Sequence, residues 1–305
     1  MKKLYIIGNG FDQYHDLPTS FKCFNCFMCR ERSADHERIG KIFDSRDTNM
    51  LWCKFEEKLG KLDVLELVSR NLPWWVDTKD QKEFIIPFDT LHKDLVGYFH
   101  EWVTKIDMSC ANSKRLELDR NAYYINFNYT FTLEEDKGLY QIPKDHICYI
   151  HGDTGDNNFR QPITGHGNVD YENLIDENEI RNIIENSHKL PIWVNTIDDF
   201  VEEIVYETKE LLGGLKKDTN GVLEYDDIKT FFDNCAQSEE IYVLGHSLAE
   251  VDLPYFERIA NDSPKAKWCA SYKTDEDKER IENMRKVCGI NRIELITLDD
   301  LLKKE

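Results

Sequence analysis

The sequence lacks any long uninterrupted hydrophobic run. Hydrophobic residues make up 41% of its 305 residues, yet no apolar run approaches the roughly 20 residues that a membrane-spanning helix requires. The first apolar run, residues 4–7, ends at Gly8 and is shorter than the roughly 7–15-residue core of a secretion signal. We therefore expect a cytoplasmic protein that has no membrane partner and is long enough to bury a sizeable core.

Positive charge is also scarce. The chain has 39 lysine and arginine residues against 58 aspartate and glutamate residues, which gives a net charge of −19 and a pI near 4.9. Affinity for a nucleic-acid backbone depends on clustered lysine and arginine side chains that release counterions. We therefore expect no general nucleic-acid binding. A metal-dependent nuclease would need carboxylate clusters, for which Asp12, Asp153 and Asp252 are the candidates.

A second cysteine cluster is missing. Three of the nine cysteines, Cys23, Cys26 and Cys29, have metal-like spacing, but zinc sites of this kind need a second pair downstream, and none follows. On a helix this spacing places the thiols on or near one face, where cysteine packs as a small hydrophobic residue. We therefore predict core packing for these residues and no bound metal.

Short apolar segments rich in aromatic and β-branched residues alternate with segments of helical spacing. We predict strands at residues 3–7, 122–128, 146–151, 240–245, 267–272 and 292–296, and C-terminal helices at 253–260, 275–287 and 298–304. Strands that alternate with helices predict a parallel sheet covered on both faces. The predicted fold is a single α/β domain over residues 1–305, with a doubly wound, mostly parallel, Rossmann-like sheet.

Two stretches of helical spacing interrupt this alternation. Residues 20–118 read as a large helical insertion after the first strand, punctuated by Pro73 and Pro87. Residues 172–235 form a second helical insertion or a lid.

Polar residues follow four of the predicted strands. They are Gly8, Asn9, Gly10, Phe11, Asp12 and Thr19 after the first strand, Asn126 and Asn128 at the second, His151 at the third, and Gly245, His246, Ser247 and Asp252 after the fourth. The carboxyl ends of parallel strands share one edge of the sheet, where open α/β folds bind ligands. The four polar ends together predict a ligand crevice at that edge.

Each polar motif also has a local explanation. Asp12 and Thr19 are suitable helix caps, and asparagines stabilise turns. Two glycines after a strand are typical of a phosphate-binding turn, but the third glycine of the dinucleotide fingerprint is absent. Ser247 is not expected to be a nucleophile, because Leu248 and Ala249 follow where a nucleophile elbow needs glycine.

The motif set as a whole resembles the AbiH family of bacteriophage abortive-infection proteins. The resemblance runs from residue 4 to about residue 272 and rests on Gly8-Asn-Gly-Phe-Asp with His15 and Leu17-Pro18-Thr19, Trp52 with Phe55-Glu56, Asn126-Phe-Asn-Tyr-Thr with Leu133-Glu134, His151-Gly152, and Gly245-His246-Ser247-Leu248 with Asp252. At Asp16 the family often has glycine. The resemblance implies an antiphage effector, with a phage-derived or defence-system protein as its trigger, and it allows a homo-oligomer.

More distantly, the motif order is similar to that of sirtuin-like NAD-consuming domains. Gly8, Gly10, Leu17-Pro18, Asn128-Tyr129, His151-Gly152 and Gly245-x-Ser247 occur in matching order and spacing. Asn9 replaces a small alanine and Thr130 replaces an aspartate. The four-cysteine zinc module of sirtuin deacylases is missing, so protein deacylation is not expected.

The sirtuin likeness implies hydrolysis of the bond between nicotinamide and ribose, with NAD or a related nucleotide as substrate and no required cofactor. The backbone amides of residues 8–11 would hold the pyrophosphate, and Asn128 would hold the ribose hydroxyls or the attacking water. His151 would act as the base, Asp12 would stabilise positive charge, and Ser247 would bind a hydroxyl or a phosphate. The remaining candidates for nucleotide binding are Thr19, Asn126, His246 and Asp252. A non-catalytic nucleotide-binding sensor, which Thr130 favours, and a metal-dependent nuclease remain as alternatives.

Overall fold

The computed structural model describes residues 1–42, 63–77, 91–152 and 170–303. Its six strands are β1 (Lys3–Ile7), β2 (Tyr123–Asn126), β3 (Ile147–Tyr149), β4 (Glu240–Leu244), β5 (Lys267–Ser271) and β6 (Ile293–Ile296). They form one sheet in the order β3-β2-β1-β4-β5-β6, and every neighbouring pair is parallel. This is the strand order of dinucleotide-binding folds, so the prediction of a doubly wound, Rossmann-like sheet is confirmed.

The described α-helices are α1 (Asn9–Tyr14), α2 (Phe21–Glu31), α3 (Ser33–Ile42), α4 (Val64–Asp77), α5 (Leu91–Thr104), α6 (Glu177–Ser187), α7 (Ile197–Gly214), α8 (Thr219–Leu223), α9 (Asp226–Cys235), α10 (Leu253–Asp262) and α11 (Asp275–Val287). The predicted last helix is wrong: Leu298–Leu301 forms only a 3₁₀ turn. Pro73 lies inside α4 and does not end it.

Strand β1 lies in the middle of the sheet and is buried on both faces, which explains its nearly continuous apolar sequence. On the Ile6 face, defined by Leu4 and Ile6, the core includes Phe232 of α9 and Phe256 of α10. On the Tyr5 face, defined by Tyr5 and Ile7, the core includes Phe11 of α1, and residues of the C-terminal 3₁₀ turn pack against it. Both faces of the sheet are therefore covered.

The chain divides into two compact units. The sheet unit comprises Met1–Ser20, His100–Ile163 and Asp218–Glu305, and the helical unit comprises Phe21–Phe99 and Thr164–Lys217. Helices α8 and α9 belong to the sheet unit, where Ile228 and Phe232 of α9 are core residues. The single domain over residues 1–305 and its insertions at 20–118 and 172–235 stay predictions.

The prediction that the three clustered cysteines pack in the core is wrong. Cys23 is half-buried, while Cys26 and Cys29 are exposed. Helix α2 directs Phe24, Phe27 and Met28 inward instead, because these larger apolar side chains bury more surface than thiols do.

Among the helices that the structure describes, none combines the length and the hydrophobicity of a membrane span. Among the side chains of residues 1–42, 63–77, 91–152 and 170–303, no group of three or more His, Cys, Asp or Glu is placed to hold a metal ion.

Candidate functional site

The turn that joins β1 to α1 is bonded to the end of β4. The Gly8 amide donates to the Leu244 carbonyl at 2.9 Å, and the Gly10 amide donates to the Gly245 carbonyl at 2.7 Å. The Phe11 amide donates to the Gly8 carbonyl at 2.9 Å. Three of the four amides predicted to hold a pyrophosphate therefore bond the protein itself, and the geometry gives them a structural role.

Two glycines permit this close approach of the β1 and β4 ends. A Cβ atom added at Gly8 would lie 2.4 Å from the Cα atom of His246, and one added at Gly245 would lie 2.1 Å from the Phe11 nitrogen. Gly245 also has a φ of +63°, in the left-handed region that favours glycine. The glycines of the first and last motifs are therefore explained by backbone packing.

Asp12 is a fully buried carboxylate on α1, with an exposed fraction of 0%. The Thr130 hydroxyl donates to its Oδ2 atom at 2.5 Å, and the Thr132 hydroxyl donates to its Oδ1 atom at 2.7 Å. No cation pairs with this carboxylate in the part of the chain that the structure describes. Burial raises the pKa of Asp12 to about 6, although the hydroxyls of Thr130 and Thr132 and the Asn128 amide oppose the rise. Buried, uncompensated carboxylates with raised pKa values cluster at functional sites.

The Asp12→Asn variant is expected to change how stability depends on pH. The folded state binds the Asp12 proton more tightly than the unfolded state does, so this contribution is present below the ordinary pKa of 3.8 and is lost as the pH rises through about 6. Asparagine does not titrate, so the variant does not lose this stability. The free energy of unfolding of the variant minus that of the wild type should therefore be about 2–3 kcal/mol larger at pH 7.5 than at pH 4. Urea unfolding of both proteins at the two pH values measures the difference.

His15 also changes the stability with pH, but its effect cancels when the free energies of unfolding of the wild type and of Asp12→Asn are subtracted, because both proteins contain it. Burial lowers the pKa of His15, which contributes stability that is lost as the pH falls below the ordinary value of 6.5. If the free energy of unfolding depends on pH in the same way in the wild type and in Asp12→Asn, the pKa of Asp12 is not raised in the folded state.

His15 fixes the position of α1 and does not face a ligand crevice. Its Nδ1 atom lies 2.7 Å from the Phe11 carbonyl, which can only accept, so Nδ1 carries the proton. Its Nε2 atom then accepts from the Tyr140 hydroxyl at 2.7 Å, and that hydroxyl accepts from the Leu116 amide at 2.9 Å. The histidine of the first motif is therefore a structural residue in its neutral form.

The other polar residues of the first and second motifs hold loops in place. The Asn9 side-chain amide donates to the Thr19 carbonyl at 2.7 Å, while the buried Thr19 hydroxyl has no hydrogen-bond partner among the described residues. The Asn126 side-chain oxygen accepts from the Asn128 backbone amide at 3.0 Å, as in an asparagine-stabilised turn. The Asn128 side chain donates to the Gly8 carbonyl at 3.1 Å and so joins the ends of β2 and β1.

A second polar group contains two histidines and one carboxylate. Asp252 lies between them: its Oδ1 atom is 3.8 Å from Nε2 of His151, and its Oδ2 atom is 3.9 Å from Nε2 of His246. All three residues are buried. Phe127 packs edge-on against both imidazoles, at ring-centroid distances of 5.0 Å to His151 and 4.3 Å to His246.

The hydrogen bond of His246 sets its protonation state. Its Nδ1 atom accepts from the Leu248 backbone amide at 2.9 Å, so this nitrogen carries no proton and the ring is neutral with its proton on Nε2. Leu248 has a φ of +53°, which is a strained conformation for leucine. His246 thus keeps its Nδ1 lone pair on the Leu248 amide, while Nε2 of His151 lies 3.8 Å from Oδ1 of Asp252.

The predicted site residues thus separate into two groups at the same edge of the sheet. Asp12 and Asn128 belong to the first group, and His151, His246 and Asp252 belong to the second. Ser247 is exposed and lies outside both groups, and its carbonyl accepts from Arg280 Nη1 at 3.2 Å. Asp153, Trp52 and Phe55 lie outside the described residues.

Sequence reasoning singled out Thr130 but missed its contact with Asp12, and it missed Thr132, Arg280 and Tyr255 altogether. Thr130 and Thr132 continue the two-residue spacing that begins at Asn128, and this spacing could have identified the partners of Asp12. Arg280 and Tyr255 lie within helical segments whose sequence gave no such signal.

One of three comparisons with known proteins gives a match. The family model described as "Bacteriophage abortive infection AbiH" matches residues 4–272. The chain belongs to the AbiH family. Comparisons with the curated proteins and with the solved structures give no significant match.

Most residues of the two polar groups lie within the motifs that carry the resemblance to this family. At Asp16, where the resemblance leads us to expect glycine, φ is +61°, a backbone conformation that glycine adopts more easily than other residues. An aspartate tolerates this conformation better than most residues do, and its carboxylate accepts from the Asn112 side chain at 2.9 Å. The departure from the family pattern therefore preserves the turn.

Proposed function

We propose that this AbiH protein is an abortive-infection effector that hydrolyses the bond between nicotinamide and ribose in NAD or a related nucleotide. One observation carries the proposal: a buried His151–Asp252 pair lies at the carboxyl edge of a parallel sheet with the strand order of dinucleotide-binding folds. The proposal takes NAD as the substrate, requires no cofactor, and takes a phage-derived or defence-system protein as the trigger.

His151 is the general base in this proposal. A carboxylate beside an imidazole stabilises the imidazolium that forms when the ring accepts a proton. His246 cannot take this role without losing the bond from the Leu248 amide. The distance of 3.8 Å between His151 and Asp252 is longer than a hydrogen bond, and such pairs often shorten only when substrate is bound.

The proposed reaction breaks the bond between the ribose C1′ atom and the pyridinium nitrogen. The bonding electrons leave with nicotinamide, which becomes neutral, and the oxygen of water forms the new bond to C1′. One proton of that water passes to His151 and then to solvent. The products are nicotinamide, ADP-ribose and one proton, so atoms and charge balance.

The remaining groups would stabilise and hold the nucleotide. The transition state carries positive charge at C1′. The ionised carboxylate of Asp12, in the first polar group with Asn128, would stabilise that charge. Because the amides of the β1–α1 turn bond the protein, the phosphates need another partner. We assign them to Arg280, whose guanidinium donates to the carbonyl of the exposed Ser247 at 3.2 Å and to the Glu276 carboxylate at 2.7 Å. A phosphate would take the place of the Glu276 carboxylate.

A non-catalytic nucleotide-binding sensor is the second candidate. It is favoured by the enclosure of the predicted catalytic residues, since Asp12, Asn128 and His151 are all at least nine-tenths buried. Such a protein would bind the nucleotide and signal infection without turnover.

The test is to incubate the purified protein with NAD and to follow free nicotinamide, with and without a lysate of phage-infected cells. Release of nicotinamide with equal amounts of ADP-ribose is the expected result. Thermal stabilisation by NAD without any release, in both conditions, would support the sensor and contradict the hydrolase.

A further inference from the structure

Tyr255 is a buried tyrosine whose hydroxyl has no use in the fold. It lies in the first turn of α10, and its exposed fraction is 0%. Its hydroxyl oxygen has no hydrogen-bond partner among the described residues. A buried hydroxyl without a partner is costly, and phenylalanine would fill the same space without that cost. The hydroxyl therefore points to a ligand.

The Tyr255 ring packs beside the His151 group, and Cys148 and Asp218 are further neighbours. Its ring lies 5.8 Å from the His151 ring and 5.5 Å from the Phe127 ring, measured between centroids. Asp252 precedes it by three residues, a spacing that places both side chains on one side of a helical turn. Tyr255 thus lies beside the base and the carboxylate of this group.

The hydroxyl remains protonated at neutral pH. Burial raises the pKa of Tyr255 well above its ordinary value, and the nearby Asp252 carboxylate raises it further. A neutral hydroxyl can both donate and accept a hydrogen bond. The 3.8 Å between His151 and Asp252 is a separation at which a polar contact commonly includes a water molecule.

We propose that the Tyr255 hydroxyl holds the attacking water molecule at the His151–Asp252 pair. This inference rests on the proposed function. The water donates its first hydrogen to Asp252 Oδ1 and its second to His151 Nε2, while the Tyr255 hydroxyl donates to one lone pair of the water oxygen. The other lone pair is directed toward C1′. When the oxygen bonds to C1′, the second hydrogen passes as a proton to His151. Tyr255 is therefore a water-positioning residue and does not take up the proton itself.

The Tyr255→Phe variant tests this role. We expect kcat for nicotinamide release to fall by about 10- to 100-fold while KM changes less than about twofold, because the nucleotide itself loses no contact. The melting temperature should not fall, because the hydroxyl bonds no protein group. Tyr140→Phe is the matched control: its hydroxyl bonds His15 and Leu116, and its loss should lower the melting temperature by about 2–8 °C.

High-resolution crystal structures of the wild type and of Tyr255→Phe provide a readout that does not depend on activity. A water molecule within hydrogen-bond distance of the Tyr255 hydroxyl and of His151, lost in the variant, is the expected result. A wild type without this water, or a variant that loses it and keeps full kcat, would overturn the assignment. A folded wild type that releases no nicotinamide contradicts the proposed function and, with it, the attacking role of this water.

Discussion

Replacing Gly245 with alanine is expected to lower the free energy of unfolding of the sheet unit by roughly 3–5 kcal/mol. The new Cβ atom would lie 2.1 Å from the Phe11 nitrogen, which is a backbone atom that cannot move without displacing α1. The φ of +63° adds strain for any residue with a side chain. Urea unfolding of the variant, followed by tryptophan fluorescence and by circular dichroism, measures the loss.

Gly289→Ala is the matched control. Gly289 has a φ of +64°, but a Cβ atom added there would meet nothing within 4 Å. Its replacement should cost only the conformational strain, about 1–2 kcal/mol. Equal losses in the two variants would show that close packing of the β1 and β4 ends is not what requires Gly245.

The His151→Ala variant is expected to lose nicotinamide release by about 10²- to 10⁴-fold in kcat, which is the usual effect of removing a general base. His151→Gln, which fills more of the site, should lose as much activity and keep more stability. Initial rates measured at saturating NAD for each variant test this result, with thermal unfolding to show that each variant is folded.

His146→Ala is the control for a histidine at the other end of β3. His146 directly precedes β3, where its ring contacts the Ala122 carbonyl and the Tyr123 ring, and it lies at the amino end of the strand, opposite to the carboxyl edge. It should retain nearly full activity. Comparable losses in the His146 and His151 variants would assign the effect to the stability of β3.

The sheet could be predicted from the sequence because its strands are short apolar runs with polar ends. The run from Leu4 to Ile7, for example, is apolar on both faces, as a central parallel strand requires. The pattern in Asn126 and Asn128 correctly indicated a strand end. It could not indicate that the two side chains bond the backbone of the turn and of Gly8, because those bonds depend on which strands are neighbours.

The site was harder to predict because its contacts are long-range. Asp12 reads as a helix cap in the sequence, but its carboxylate accepts from hydroxyls more than a hundred residues away, at Thr130 and Thr132. The pairing of Gly10 with Gly245 has the same origin. The prediction of buried cysteines in α2 was wrong for a local reason. The cysteines and the larger apolar residues Phe24, Phe27 and Met28 have similar helical spacing, and only one set can occupy the buried face of the helix.

The most direct test of the central claim is the NAD concentration in phage-infected cells that express either the wild type or His151→Gln. We predict that NAD falls in the wild-type culture after infection and before lysis, and that it stays constant in the variant culture, which also loses protection against the phage. Constant NAD in a wild-type culture that remains protected would contradict the account.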